Sequence, residues 1–66
     1  MKNNLKVLRA TVGISQADLA DKINVSRQTI NAMEKGKYVP STVLALKLAR
    51  FFDRAVEEIF TLEVED

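Results

Sequence analysis

The chain has no cysteine, histidine or tryptophan, and only one proline and two glycines in 66 residues. Without cysteine there is no disulfide and no thiol nucleophile. Without histidine as well, the usual zinc ligand sets cannot be assembled. Histidine is also the side chain best suited to acid–base work near neutral pH, and two isolated glycines make no phosphate-cradling loop. These absences argue against an enzyme, so no catalytic residue, metal ligand or cofactor is expected. Glu57 and Glu58 are adjacent, so on a helix they diverge instead of sharing a substrate. No run approaches the ~20 apolar residues needed to cross a bilayer, and the N-terminus lacks an apolar stretch ending in a small-residue cleavage site. The expectation is a cytoplasmic protein with no membrane partner.

What is present is a chain of 47% hydrophobic residues, enough for one small core. The expected organisation is a single domain over residues 1–66. A core of this size is marginal on its own. With disulfides and metal excluded, association with a second copy is the remaining aid. The net charge of +1 hides a strong asymmetry. Residues 1–52 carry nine Lys or Arg against three acids, whereas residues 53–66 carry one Arg against six acids. A basic body fits a phosphate-rich partner, although an ordinary solvated surface has the same ingredients.

Apolar spacing and punctuation divide the chain into five short helices. Residues 4–12 place Leu5, Leu8 and Val12 on one stripe, and Gly13 ends that helix. Ser15 caps a second helix, Gln16 to Ile23, with Leu19, Ala20 and Ile23 inward and Asp18 at its positive end. Asn24 tolerates the left-handed backbone a tight turn needs. Ser26 caps a third helix, Arg27 to about Lys35, with Ile30 and Met33 inward, and Gly36 stops it. Pro40 disfavours helix at Val39, and Ser41 caps a fourth helix from Thr42 to Phe52. Its stripe of Leu44, Ala45, Leu48, Ala49 and Phe52 is the strongest in the chain. A fifth helix spans about Val56 to Phe60, with Val56, Ile59 and Phe60 inward. The alternation in residues 60–65 then predicts a strand, which needs a neighbour in this chain or in another copy.

Residues 16–35 therefore read as two amphipathic helices joined by a tight turn. Small Ala20 lies at a close helix crossing, and Val25 and Ile30 face the core. Such a unit offers its second helix to the major groove of DNA. Arg27 suits bidentate donation to guanine, and Gln28 suits bidentate pairing with adenine. Asn31 lies one turn beyond Arg27, and Ala32 one turn beyond Gln28, where only a methyl contact is available. The bland reading of the same residues is the polar face of any surface helix. For phosphate, Gln16 begins the first helix of the pair. Ser26 and Thr29 offer hydroxyls, and Lys35, Lys37, Tyr38 and Ser41 follow the third helix. Plain solubility is the alternative for the lysines, and packing for Tyr38.

The run LRATVGISQADLADKINVSRQTINAMEKGKYVPS, followed by LALKLARFF and VEEIF, resembles the Cro- and phage-repressor-type helix-turn-helix family, often called Xre-type regulators. The likeness covers nearly the whole chain and is strongest to its small members, a bare DNA-binding domain plus a C-terminal strand. It implies an all-α, five-helix, lambda-repressor-like DNA-binding domain whose short C-terminal β-strand pairs in a dimer. It further implies sequence-specific operator binding and transcriptional control, usually repression, with Gln16 meeting a phosphate. Arg9 and Glu34 match a structural ion pair of that family. Asn24 and Asp53 stand where glycine is usual, and Ala55 where a capping hydroxyl is common. The expected partners are double-stranded DNA and a second copy. Phe51, Leu62 and Val64 are candidates for the dimer interface, with Leu46 and Val43 also apolar outside the main stripe. An antitoxin-like protein-interaction module, with DNA contact secondary, is the alternative.

Overall fold

The computed structural model covers residues 1–66 and places a two-residue strand β1 (Lys2–Asn3) before five helices. These are α1 (Leu5–Val12), α2 (Gln16–Ile23), α3 (Arg27–Glu34), α4 (Thr42–Phe52) and α5 (Val56–Ile59), followed by strand β2 (Phe60–Thr61). No helix is long and apolar enough to cross a membrane.

Short polar side chains set the helix starts. Ser15, Ser26 and Ser41 have extended backbones, and their hydroxyls accept from the amides of Asp18, Thr29 and Leu44. Asp18 also accepts from the Ser15 amide, which completes a reciprocal cap. At α5, Ala55 offers no acceptor, and only the returning bond from its amide to Glu58 is made, at 2.9 Å. That helix is a single turn, as a half-made cap leads one to expect.

The helix ends share a left-handed residue. Gly13, Asn24 and Asp53 follow α1, α2 and α4 with φ of 83°, 60° and 54°. Asn and Asp reach this region at modest cost; most L-residues do not. A Cβ at Gly13 would meet nothing within 4 Å, so the backbone alone resists a side chain there. Gly13→Ala is therefore expected to cost about 1–2 kcal/mol, read as a lower urea midpoint with an unchanged denaturant slope.

The core is one cluster of eleven buried residues: Leu5, Leu19, Ala20, Ile23, Ile30, Met33, Leu44, Leu48, Phe52, Ile59 and Phe60. The inward faces expected of α2, α3 and α4 supply most of it, and α4 packs against both α2 and α5. Ala45, Ala49 and Val56 are only partly buried against the cluster. Val12 is a correction, for it is half exposed at the end of α1, where Gly13 turns the chain away. Leu5 is buried and Leu8 partly so.

The C-terminal strand also differs from expectation. It is two residues long, not six, and its partner is this chain's own N-terminus: Lys2 pairs with Thr61 and Asn3 with Phe60, antiparallel. Neither Leu62 nor Val64 finds a core face, so alternation alone does not extend the ladder. Instead the chain turns, with the Glu63 amide donating to Asp66 Oδ2 at 2.8 Å and the Asp66 amide to the Glu63 carbonyl at 3.0 Å. The Met1 ammonium lies 3.1 Å from a carboxylate oxygen of each of those acids.

Candidate nucleic-acid interface

Helix α3 has one face in the core and one outside. Ile30 and Met33 are fully buried, whereas Arg27 and Gln28, at its first two positions, are exposed. Asn31 and Ala32 lie partly exposed on the same helix. Gln28, Asn31, Ala32, Lys35 and Lys37 together line one shallow, open concavity. The outer surface of α3 is therefore continuous with the loop that follows it. Arg27, Lys35 and Lys37 make no ion pair within the chain, so their charges are available to an external anion.

The capping geometry leaves useful protons behind. Ser26 and Ser41 cap by accepting at oxygen, which does not consume their own O–H donors. Ser26 Oγ and Thr29 Oγ1 lie 2.9 Å apart, so one hydroxyl proton is shared between them and the other remains free. Ser41 precedes α4 on the exposed loop of residues 35–41, along which Tyr38 is 43% exposed.

A polar network braces this surface from behind. Arg9 of α1 meets Glu34 at the end of α3 through two bonds, Nε to Oε2 at 2.6 Å and a second guanidinium nitrogen to Oε1 at 3.1 Å. A third guanidinium bond reaches the Ile14 carbonyl at 3.0 Å. Gln16, at the start of α2, donates its Nε2 to Glu34 Oε1 at 3.1 Å. One carboxylate thus ties together α1, α2 and α3. With side-chain exposures of 15% for Arg9 and 6% for Glu34, the pair is nearly sealed.

Burial pushes the Glu34 carboxyl up, but hydrogen bonds from Arg9 and Gln16, with the charges of Arg9 and Lys6, outweigh it and hold the group below the usual carboxylate range. A carboxyl lowered in the folded state contributes stability that is fully present at neutral pH and lost as pH falls through its folded value, below 4.5. Melting of the wild type and Glu34→Gln followed from pH 7 to pH 2 should therefore converge at the acid end, with the wild type falling more steeply.

Two contacts were not foreseen from sequence. The Gln16 amide is oriented by Glu34, leaving one Nε2 proton free. Asn3 links the terminal sheet to α3, donating its Nδ2 to the Met33 carbonyl at 2.7 Å while its Oδ1 accepts from the Leu5 amide at 3.1 Å. An asparagine just ahead of a helix signals a cap, and it is the sole sequence trace of this brace. Of the remaining candidates, Phe51 is half-buried and packs edge-on against Phe52 with ring centres 4.9 Å apart. Leu62 is 76% exposed and Val64 wholly so.

Comparisons with known proteins agree with this architecture. The helix-turn-helix family model HTH_3 matches residues 5–59. An uncharacterized HTH-type transcriptional regulator of Methanocaldococcus jannaschii is 54% identical over the full length of both chains. Another, YgzD of Bacillus subtilis, is 50% identical over the full length of both. Among solved structures, a transcriptional regulator from Listeria innocua superposes with a TM-score of 0.79 at 20% identity. That match covers 97% of this chain and 65% of the Listeria chain, and at such identity it speaks for the fold alone. With matching helices, matching sequence and an exposed second helix of the motif, the chain belongs to the helix-turn-helix family of DNA-binding transcriptional regulators, a non-enzymatic family.

Proposed function

We propose that the protein is a repressor that binds a pseudo-palindromic operator as a homodimer and reads it with the first turns of α3. The observation that carries this reading is the exposure of Arg27 and Gln28 at the start of a helix whose other face is locked in the core. Arg27 donates to guanine O6 and N7, and Gln28 pairs with adenine N6 and N7. Asn31 and Ala32 complete the reading surface one turn on. Phosphate contacts come from the remaining Gln16 proton, the one free hydroxyl proton of the Ser26–Thr29 pair, the Ser41 hydroxyl, Lys35, Lys37 and Tyr38. The Arg9–Glu34 pair acts from behind, fixing the angle of α3.

The size of one copy is compatible with a two-fold arrangement on DNA. Half-sites on one face of DNA recur about every 34–36 Å, and this molecule measures 32 × 22 × 21 Å. One copy covers a single half-site, and two abutting copies span a helical turn. Phe51, Leu62 and Val64 belong to the joint between copies. Occlusion of a promoter by such a dimer is repression.

Transcription in vitro from a promoter template carrying a duplex site selected in vitro for binding to this protein tests this reading. Transcript should fall with protein concentration at unchanged polymerase. A rise in transcript would identify an activator, and no effect despite full occupancy would refute control at the promoter.

A further inference from the structure

We infer that the cleft between the C-terminal halves of α2 and α4 receives the acidic tail of a second copy of this chain. This deepens the homodimer reading and rests on it. Lys22, Lys47 and Arg50 surround a shallow apolar floor formed by Ile23 and Phe51, and no acid lines it. The same two α4 cations continue into an adjoining hollow beside Val43 and Leu46, which are 64% and 57% exposed. None of the three cations has an ion-pair partner within the chain.

A surface that only tracked phosphates would need the cations and no apolar floor. The combination instead fits an extended peptide that alternates apolar and acidic side chains. This chain carries that alternation in Leu62-Glu63-Val64-Glu65-Asp66, folded in the single copy into an exposed turn whose two Glu63–Asp66 hydrogen bonds are exchanged on insertion. Leu62 and Val64 are among its most exposed large apolar residues. Glu65 has no cation partner, and the only cation that Glu63 and Asp66 meet is the terminal ammonium at the surface, Asp66 also accepting from the Glu63 amide. Exposed pairs of that kind contribute little and exchange readily. Leu62 and Val64 therefore lie on the Phe51 floor, while the acids meet Lys47, Arg50 and Lys22 on the rim. Two reciprocal insertions close a symmetric dimer, since each copy supplies one tail and one cleft.

Charge exchange tests the fit. Sedimentation equilibrium is run on the wild type, on a cleft variant (Lys47→Glu with Arg50→Glu) and on a tail variant (Glu63→Lys with Glu65→Lys). All four positions are exposed, and circular dichroism checks that each variant retains the wild-type helix content. Each variant alone should raise the dimer dissociation constant at least tenfold, and mixing the two in equal amounts should restore association. A wild-type dimer whose dissociation constant is insensitive to both variants would overturn the tail-in-cleft joint while leaving the homodimer intact. Weakening by the cleft variant alone, with no rescue on mixing, would assign the cleft to another occupant and equally overturn it. A wild type that stays monomeric at every concentration would overturn both.

Discussion

Arg9→Ala is expected to lower the stability of the protein by about 3 kcal/mol, which for a domain this small is roughly 12–24 °C in Tm. The cost does not come from the worth of the ion pair, because desolvation offsets much of the attraction in a nearly sealed pair. It comes from stranding the Glu34 carboxylate, 6% exposed, with Gln16 as its one remaining hydrogen-bond partner. That residual bond places the effect at the low end of the range for buried pairs. Arg9→Met combined with Glu34→Leu should recover most of the loss, since no charge is then left buried. Thermal melting of the three proteins decides the matter. A single substitution that melts within 3 °C of the wild type, roughly the effect of under 1 kcal/mol, would mean that water reaches Glu34 freely.

The second large effect concerns DNA. Arg27→Ala and Gln28→Ala should each weaken binding to the preferred duplex by about 1–3 kcal/mol, roughly 5- to 150-fold, because one bidentate base contact is lost. Binding to unrelated duplexes should change far less, so the ratio of the two affinities falls. Lys37→Ala should behave differently, weakening all duplexes alike and reducing the slope of log K against log salt by about 0.9. Fluorescence anisotropy over a salt series separates these patterns. Uniform losses from Arg27→Ala and Lys37→Ala alike would place both residues on the phosphates and leave sequence reading to other groups.

The helical frame was legible because local chemistry and packing agree. Ser15, Ser26 and Ser41 mark three helix starts, and Gly13 and Asn24 mark two ends with left-handed backbone, whereas at Asp53 only the family's usual glycine pointed to the same turn. The Ser41 cap and the apolar stripe that follows it place α4 from Thr42 to Phe52, as found. What escaped is contact between residues far apart in sequence. Nothing near Gln16 announces that Glu34, eighteen residues on, will take one of its protons. Asn3 reaches Met33 across thirty residues. The tail shows the reverse failure: alternation in residues 60–65 is real, but a strand needs a face to bury, and past Thr61 there is none. For the interface the sequence supplied residue types, and the family resemblance supplied the Arg9–Glu34 pair behind α3; the Gln16 and Asn3 contacts that complete the brace required coordinates.

Base reading as proposed requires that Arg27 and Gln28 meet base edges in the major groove. Its most direct test starts from duplexes selected in vitro by the wild-type protein. At each selected guanine and adenine in turn, the 7-deaza base then replaces the natural one, removing the N7 acceptor and nothing else of the pairing edge. One guanine in each half-site is expected whose replacement weakens the wild type but not Arg27→Ala. One adenine should behave likewise for Gln28→Ala. Equal sensitivity of wild type and variants at every position would contradict it.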